Sequence, residues 1–512
     1  MSTRSQWGTR AGFILAAIGS AVGLGNIWRF PTTAFENGGG AFMIPYLVAL
    51  LTAGIPILIM EFTMGHKYRG SSPLTFKNMN KKTEWVGWWG VLIAFVVSTY
   101  YSVIIAWAIS YSIFSFNLNW GSDTENFLYN NHLEMVEAGQ FGGFVPGVLI
   151  PLVIVWLVVL GVLYRGVRKG IEMANRIFIP TLVVVFLLIV IRALTLPGAI
   201  EGLNAFFTPD FDAILDGQVW IAAYGQIFFS MSIAFAIMIT YSSYLPKKSD
   251  ITNNAFIVGF GNSSFELLCG IGVFSVLGFM SVQQNVPINE VVDGGIGLAF
   301  VAFPQIINEF PALNELFGFL FFASLVLAGM SSLISIIETY VAGLSDKLNI
   351  SRKKAVLIGG GTAALVSLVF ATRGGINFLD AVDYFINQFG IAFIGLVEVV
   401  LIAWVLRKLG EFKEHANSVS DIRLGGWWTF SLSVITPIVL GFTMFDLFRK
   451  NLLQLFDKPS GNYGGYSDLF VLSSGWLVAA GALIVGIIIS LLKWRASKNA
   501  DEHKTQDTRE AK

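Results

Sequence analysis

Small and polar residues interrupt the first apolar segment of the chain. The segment begins as an apolar helix and then places Gly19, Ser20, Gly23, Gly25 and Asn26 near its middle. Because glycine costs about 1 kcal/mol in a helix interior relative to alanine, this cluster predicts a loosened or broken helix. A broken helix leaves carbonyl oxygens and N–H groups without intrahelical partners.

Those free backbone groups predict ion binding. In a membrane they must be buried in protein or face a polar cavity. Carbonyl oxygens together with the Asn26 amide oxygen suit a small hard cation, and N–H groups at a half-helix N-terminus suit a carboxylate. Arg29, which closely follows the break, favours this functional interpretation. The alternative is a packing face, because small residues let membrane helices approach closely.

Four other apolar segments carry polar side chains at membrane depth. They are Gln226, Ser230 and Ser232; Asn262 and Glu266; Ser331 and Ser332; and Asp380 and Asp383. Asn262 and Glu266 are four residues apart and therefore share a helix face. Since a buried unpaired carboxylate is costly, Glu266 either holds a proton or balances a cation. For the serines, hydrogen bonding to carbonyls of their own helix is the alternative.

Composition limits the function classes. The chain has 512 residues, of which 54% are hydrophobic and 13% charged, against about 25% charged in a soluble chain. It is therefore predicted to be a polytopic membrane protein. The zero net charge gives nucleic-acid binding no electrostatic support. The sequence contains neither metal-ligand spacing nor a nucleophile–base pair, so an enzyme is the weakest hypothesis.

The pattern of apolar stretches predicts an all-α membrane protein with twelve transmembrane helices. The predicted spans are 10–36, 41–66, 85–115, 146–164, 171–193, 219–245, 251–280, 314–344, 353–371, 377–407, 426–450 and 469–494. The first and sixth are interrupted by polar residues and lie five spans apart, so they run in opposite orientations. This predicts a 5+5 inverted repeat with broken helices 1 and 6, which is typical of a transporter.

Lysine and arginine are concentrated in alternate loops. Loops 67–84 and 165–169 are rich in them, whereas loops 116–145, 195–218 and 282–313 contain none. By the positive-inside rule, both termini are predicted to be cytoplasmic in a multi-pass protein of the cell (inner) membrane. The loop at 449–468, with Arg449, Lys450 and Lys458, disagrees with this orientation.

Several motifs match a known family. They are Ala21-Val22-Gly23-Leu24-Gly25-Asn26, Trp28-Arg29-Phe30-Pro31, Glu36-Asn37-Gly38-Gly39-Gly40-Ala41-Phe42, Tyr100-Tyr101, Lys169-Gly170-Ile171-Glu172 and Gln226-Ile227-Phe228-Phe229. On these motifs, over about residues 4–450, the chain resembles the bacterial branch of the neurotransmitter:sodium symporters, the group of the bacterial leucine transporter.

The resemblance implies two bound sodium ions. The first would be held by the Ala21 carbonyl and the side chains of Asn26, Ser230 and Asn262, with the substrate carboxylate as a further ligand. The second would be held by the carbonyls of Gly19, Val22 and Ala328 and by the hydroxyls of Ser331 and Ser332. Serine stands at Ser230 and Ser331 where the family often has threonine, and it keeps the oxygen.

The resemblance also implies a substrate site between spans one, three, six and eight. The substrate residues would be Ser20, Ala21, Gly23, Leu24, Gly25, Val97, Tyr101, Phe229, Ser230, Ser232, Phe235, Ser332 and Ile336. Ser20 replaces an asparagine of the leucine transporter, and Ala234 stands where many members carry glycine. We expect Ala234 to narrow the floor of the site, which leaves the identity of the amino acid open.

Gates and a fixed charge follow from the same resemblance. The outer gate would pair Arg29 with Asp383, aided by Gln226, and the inner gate would pair Arg4 with Asp346. Glu266 occupies the place where animal relatives bind chloride, so transport is expected to be chloride-independent.

The predicted organisation has six parts. They are a cytoplasmic N-terminal segment with the inner gate (1–9), repeat one (10–193), an extracellular loop (194–218), repeat two with an outer lid loop at 282–313 (219–408), helices 11 and 12 (409–497) and a cytoplasmic tail (498–512).

The predicted function is sodium-coupled uptake of a neutral, hydrophobic or small, amino acid by alternating access. Its alternatives are transport of another amino-acid-like zwitterion, a sodium channel and a substrate sensor. The expected partners are the amino acid, two sodium ions, the lipid bilayer and a second copy of the chain in a homodimer, with no nucleic acid.

Overall fold

The computed structural model describes residues 5–291, 294–456 and 466–495, and these are almost entirely helical. In chain order the main helices are α1 (Arg10–Ala21), α2 (Leu24–Glu36), α3 (Gly40–Tyr68), α4 (Ser72–Met79), α5 (Lys81–Asn117), α6 (Pro146–Tyr164), α7 (Val167–Ala193), α8 (Ala199–Phe207), α9 (Gly217–Ser230), α10 (Ile237–Ser242), α11 (Ile251–Gln284), α12 (Gly295–Asn308), α13 (Asn314–Leu348), α14 (Arg352–Ala371), α15 (Gly375–Val405), α16 (Leu409–Val419), α17 (Gly426–Asn451) and α18 (Asp468–Leu491). Short helical turns lie at Thr124–Asn126, Phe127–His132, Asp212–Leu215 and Ile288–Val291.

Within the described residues, ten helices are long and apolar enough to cross a membrane. The pair α1 and α2 counts as an eleventh span, bent by 55° at its break. The all-α class is therefore confirmed. In the second interrupted pair, α9 has 14 residues and α10 only six, and six residues separate them. The total of twelve spans and the inverted repeat therefore remain predictions.

The first break is narrower than the glycine pattern indicates. Only Val22 and Gly23 leave the helical conformation, whereas Gly19 lies inside α1 and Gly25 inside α2. A Cβ on Gly19 would lie 2.4 Å from Asn175 Oδ1, so this glycine permits close packing against α7. At Gly19 the glycine therefore serves close helix packing, the alternative to a break in the helix.

The second break spans residues 231–236, between α9 and α10. Ser232, Ala234 and Ala236 all have positive φ angles, of 51°, 63° and 62°. Side chains other than glycine seldom adopt this conformation, and it persists only when surrounding contacts enforce it. One such contact is the Ala234 N–H, which donates to Glu61 Oε1 of α3 at 2.9 Å. The buried Glu61, for which the sequence indicated no role, thus holds the unwound segment.

Burial separates central from peripheral helices. In the most apolar 18-residue stretch of each helix, the buried share is 78% for α13 and 72% for α5 and α11. It is only 28% for α18 and 33% for α6 and α17. The helices α5 and α13 pack along each other, and α1 packs against α7, α11 and α13. Both breaks therefore lie at the centre of the bundle, where unpaired backbone groups are shielded from lipid.

Candidate functional site

A cavity of about 460 Å³ lies between the two breaks. Every residue predicted from the resemblance to contact substrate lines it: Ser20, Ala21, Gly23, Leu24, Gly25, Val97, Tyr101, Phe229, Ser230, Ser232, Phe235, Ser332 and Ile336. Asn26, Arg29, Gln226 and Asp383 line it as well. The fold thus brings together residues that are more than 350 positions apart in the chain.

One end of the cavity suits an anion. The helix α2 begins at Leu24, whose N–H donates to the Tyr101 hydroxyl at 3.3 Å. A Cβ on Gly23 would lie 3.1 Å from that hydroxyl and 3.2 Å from Ser332 Oγ. Glycine therefore keeps open a space bounded by two hydroxyls and a helix N-terminus, where a carboxylate is stabilised.

An amide relay joins three elements beside this space. The Gly23 N–H donates to Asn26 Oδ1 at 2.9 Å, and Asn26 Nδ2 donates to Asn262 Oδ1 at 2.9 Å. Asn262 Nδ2 then donates to Ser230 Oγ at 3.1 Å. All three side chains are buried. Each amide oxygen accepts one hydrogen bond and keeps a second lone pair, so the predicted ligands fit a hard cation.

The hydroxyl of Ser332 faces the carbonyls of the first break. Its Oγ lies 3.3 Å from the Gly19 oxygen, 3.4 Å from the Ser20 oxygen and 3.2 Å from the Val22 oxygen. A hydroxyl has one hydrogen, so it can donate fully to only one of them. The other carbonyl oxygens keep free lone pairs, so the three carbonyls and the hydroxyl form an oxygen-rich cluster that fits a second hard cation.

The neighbouring serine behaves differently. Ser331 Oγ donates to the Ala328 carbonyl at 2.8 Å, inside its own helix. Back-bonding, the alternative for the serine pair, therefore describes Ser331 in this structure, while Ser332 reaches the break. Ser331 and Ala328 are both fully buried, and their role as sodium ligands remains a prediction.

The chemistry of these oxygens restricts the type of ion. Among the described residues, no group of three or more His, Cys, Asp or Glu side chains is placed to hold a metal ion. A cation at either cluster would be bound by neutral carbonyl, amide and hydroxyl oxygens. Such ligands suit a hard monovalent ion better than a transition metal, which prefers nitrogen or sulfur.

Arg29 and Asp383 mark the end of the cavity that leads towards the lid loop. The Arg29 guanidinium lies 3.8 Å above the Phe229 ring. Asp383 Oδ1 accepts a hydrogen bond from Asn387 Nδ2 at 2.7 Å. Arg29 and Asp383 form no ion pair in the described part of the chain, although both line the cavity together with Gly294 and Ile296. In this conformation the predicted outer gate is not closed by an ion pair.

The side of the bundle opposite Arg29 and Asp383, where the N-terminal segment lies, is tightly packed. Trp7 Nε1 donates to the Tyr241 carbonyl at 2.8 Å, and its backbone N–H donates to the Tyr244 carbonyl at 3.1 Å. The Tyr244 hydroxyl donates to Glu338 Oε1 at 2.6 Å, and Arg352 binds both oxygens of Glu338 at 2.5 and 2.6 Å. This cluster ties the N-terminal segment, α10, α13 and α14 together.

The predicted inner gate can be described in part. Arg4 lies outside the described residues. Asp346 Oδ2 accepts a hydrogen bond from the Ser71 N–H at 2.8 Å. The Glu338–Arg352 pair on the same side was missed, because a carboxylate within one span and an arginine at the start of the next carry no spacing signal.

Glu266 is fully buried beside the amide relay. Gln226 Nε2 donates to its Oε1 at 2.6 Å, and the Tyr46 hydroxyl donates to its Oε2. The oxygen of that hydroxyl also lies 2.8 Å from Ser263 Oγ. Gln226 and Tyr46, both neutral, therefore hold the two oxygens of this carboxyl group.

The expectation about Ala234 is wrong. Ala234 is 2% exposed and does not line the cavity. A Cβ on Gly395 would lie 3.4 Å from the Ala234 methyl, which therefore faces α15. The cavity wall at this level is formed instead by Phe235 and by Ile237, which the sequence did not indicate.

Other wall residues were also missed. They are Trp28, Tyr100, Ile104, Ile237, Gly294, Gly295, Ile296, Leu379, Asp380 and Asn387. Five of them, Trp28, Tyr100, Ile104, Ile237 and Leu379, are apolar or aromatic residues inside apolar spans, whose orientation depends on helix packing, and three lie in the loop 282–313. For Asp380 the sequence does carry a signal, because it lies three residues before Asp383 and therefore on the same helix face.

Comparisons with known proteins agree with this geometry. The model of the sodium:neurotransmitter symporter family matches residues 4–142 and 121–497. An uncharacterized sodium-dependent transporter of Methanocaldococcus jannaschii is 41% identical, over 96% of this chain and 98% of its own. A sodium- and chloride-dependent GABA transporter 2 of Rattus norvegicus is 30% identical, over 97% of this chain and 87% of its own.

A solved structure has the same fold. The crystal structure of MhsT in complex with L-phenylalanine is 31% identical in sequence and superposes with a TM-score of 0.73. The match covers 86% of this chain and 99% of that one. These relatives are transporters. The predicted family is therefore confirmed, and so is the prediction that the protein is a transporter and not an enzyme. The chain belongs to the sodium:neurotransmitter symporter family and is a multi-pass, sodium-dependent membrane transporter.

Proposed function

We propose that the protein imports a neutral, apolar amino acid by coupling its entry to two sodium ions, through alternating access and without chloride. The observation that carries this proposal is the cavity itself. It joins the space beside Gly23 at the start of α2 to two clusters of neutral oxygens, one on each side of the first break.

The first sodium ion would couple directly to substrate. Its proposed ligands are the Ala21 carbonyl, the oxygens of Asn26, Ser230 and Asn262, and one oxygen of the substrate carboxylate. The amide relay supports this, because the same Asn26 side chain that would bind the ion also bonds to Gly23 at the carboxylate space. Each ligand therefore raises the affinity of the site for the other.

The second sodium ion would join α1 to α13. Its proposed ligands are the carbonyls of Gly19, Val22 and Ala328 and the hydroxyls of Ser331 and Ser332. The position of Ser332 supports the proposal, since it already bridges the two helices. A bound cation would replace these weak contacts with stronger ion–oxygen contacts and hold the first break in one conformation.

The substrate would be held by both ends. Its carboxylate would accept hydrogen bonds from the N–H groups of Gly23, Leu24 and Gly25 and from the Tyr101 hydroxyl. Its amino group would donate hydrogen bonds to the carbonyls of Ala21, Phe229 and Ser230 and to the Ser232 hydroxyl. Its side chain would contact Val97, Phe229, Phe235, Ser332 and Ile336. The apolar wall supports a hydrophobic side chain, in line with the L-phenylalanine bound by MhsT.

Voltage supplies much of the driving force. One charge moved through 100 mV gains about 2.3 kcal/mol, so two sodium ions gain about 4.6 kcal/mol. At about 1.4 kcal/mol per decade, this supports more than three decades of accumulation. A proton carried in the opposite direction on Glu266 would lower that figure.

The conformation supports a direction of access. The tight cluster at Trp7 and Glu338 closes the side of the N-terminal segment, whereas Arg29 and Asp383 leave the other end open. With both termini in the cytoplasm, as the loop charges favour, this is an outward-facing state. Closure would bring Arg29 to Asp383 above the substrate.

Uptake by the purified protein in liposomes tests the proposal. With sodium outside and an inside-negative potential, we expect saturable uptake of one or a few of the twenty amino acids. Replacing sodium by potassium should abolish this uptake, and replacing chloride by gluconate should leave it unchanged. Sodium currents without substrate flux would establish a channel, and binding without flux against a gradient would establish a sensor.

A further inference from the structure

A second cavity, of about 520 Å³, lies on the same side of the molecule as the N-terminal segment. We call it the basic pocket, and it is lined by Thr9, Arg165, Arg168, Lys169, Glu172 and Arg176. It lies outside the transport cavity, since the two share no lining residue. Nothing in the transport chemistry described above uses it.

The charges of the basic pocket are unbalanced. Glu172 is the one carboxylate among its described lining residues, and it is already bound by the Gly8 N–H at 2.6 Å, by the Thr9 hydroxyl at 2.9 Å and by Arg176 Nη2 at 2.9 Å. In the described part of the chain, Arg165, Arg168 and Lys169 form no ion pair. Three of the four positive side chains that line this cavity therefore have no ion-pair partner among the described residues.

The local backbone concentrates these charges. Gly166 has a φ of +89°, a conformation that favours glycine, and it makes the turn between α6 and α7. The turn brings Arg165, before it, and Arg168 and Lys169, after it, to the same cavity. Like charges held this close repel one another, so the arrangement favours binding of an anion.

The basic pocket lies at the ends of two membrane helices. α6 ends at Tyr164 and α7 begins at Val167, and both spans leave most of their apolar surface outside the bundle. Tyr164, Met173 and Ile177 are 43%, 56% and 55% exposed next to the pocket. A ligand with an anionic head and apolar chains would satisfy both surfaces at once, as basic pockets at membrane boundaries do for acidic lipids.

We propose that the basic pocket binds the phosphate of an anionic phospholipid, with its acyl chains along α6 and α7. The pocket is closed on one side by Gly8 and Thr9, and the Thr9 hydroxyl caps α1 by accepting from the Gly12 N–H at 2.9 Å. A bound headgroup therefore stabilises the docked N-terminal segment at the start of the first broken helix. This holds whatever amino acid is transported.

Native mass spectrometry of the full chain in a neutral detergent tests the proposal. The probes are phosphatidylglycerol and phosphatidylcholine with the same acyl chains. We expect tighter retention of phosphatidylglycerol by at least about tenfold. Since each basic residue near an anionic headgroup contributes about fivefold, the variant R165Q/R168Q should lose about 25-fold of that affinity. The matched control K81Q/K82Q removes the same charge from two lysines that are likewise exposed but do not line the basic pocket, and it should retain the lipid.

Three results would overturn the proposal. They are equal retention of both lipids by the unmodified protein, an equal loss in the K81Q/K82Q control, and full displacement of phosphatidylglycerol by an equal concentration of inorganic phosphate, which would make the pocket a site for soluble anions. The lipid comparison and the phosphate competition use the unmodified chain, so they decide the question even if R165Q/R168Q does not fold.

Discussion

Replacing Ser332 by alanine tests the second sodium site most directly. The hydroxyl of this residue brings a side-chain oxygen of α13 within 3.4 Å of the three carbonyls of Gly19, Ser20 and Val22. Removing it deletes one proposed sodium ligand and leaves the backbone carbonyls in place. We therefore expect weaker sodium binding with the fold retained.

The size of the effect follows from the strength of a single ion–hydroxyl contact. A polar contact to a charged group contributes about 1.5–3 kcal/mol. At about 1.4 kcal/mol per decade, the concentration of sodium for half-saturation should rise about 10- to 150-fold.

Equilibrium binding of radioactive sodium without amino acid is the appropriate assay, because it separates ion binding from substrate binding. Ser324→Ala is the matched control. Ser324 lies on the same helix and is also fully buried, but its hydroxyl donates to the Phe321 carbonyl of its own helix at 2.6 Å. This control should bind sodium like the unmodified protein.

The reasoning is refuted if Ser332→Ala binds sodium within about twofold of the unmodified protein. It is also refuted if Ser324→Ala loses as much affinity, because loss of any buried hydroxyl on α13 would then explain the result. Thermal unfolding of both variants should be measured alongside, and we expect each to remain folded at the assay temperature.

Three further substitutions test the other parts of the site. Asn26→Ala interrupts the amide relay and should weaken sodium and substrate binding together, each by about tenfold or more; unchanged sodium dependence of uptake would show that the first site is assigned wrongly. Glu266→Ser removes the buried carboxylate and should make uptake depend on chloride, measured by exchange for gluconate; indifference to chloride in that variant would count against the proposed role. Asp383→Asn keeps the side-chain shape but removes the charge that would attract Arg29, so uptake should fall while binding persists; uptake at the normal rate would remove the gate from the mechanism.

Much of the fold and site could be predicted from local patterns. Long apolar stretches specify membrane helices because the bilayer core leaves few alternatives. Polar residues such as Asn26 and Asn262 stand out within those stretches, since burying them is costly without a partner. The family resemblance then indicated which of them share a site, and in the structure Asn26 lines the cavity and donates a hydrogen bond to Asn262 behind it.

Other features could not be predicted, because they depend on contacts between distant segments. The width of the first break depends on packing, since Gly19 stays helical where α1 meets Asn175 of α7. The second break is held by Glu61, 173 positions away from Ala234. Neither the glycine pattern nor the position of an isolated glutamate indicates such partners.

The local sequence thus accounts for the membrane class, the two interruptions and the chemistry of the ion ligands, because each depends on residue type and short spacing. The direction of side chains was set by the assembled bundle. The methyl of Ala234 faces Gly395 and not the cavity, and Ser332 reaches the break while Ser331 bonds to its own helix. A helix can rotate about its axis with no change in its sequence pattern, so only its packed neighbours select which face meets the site.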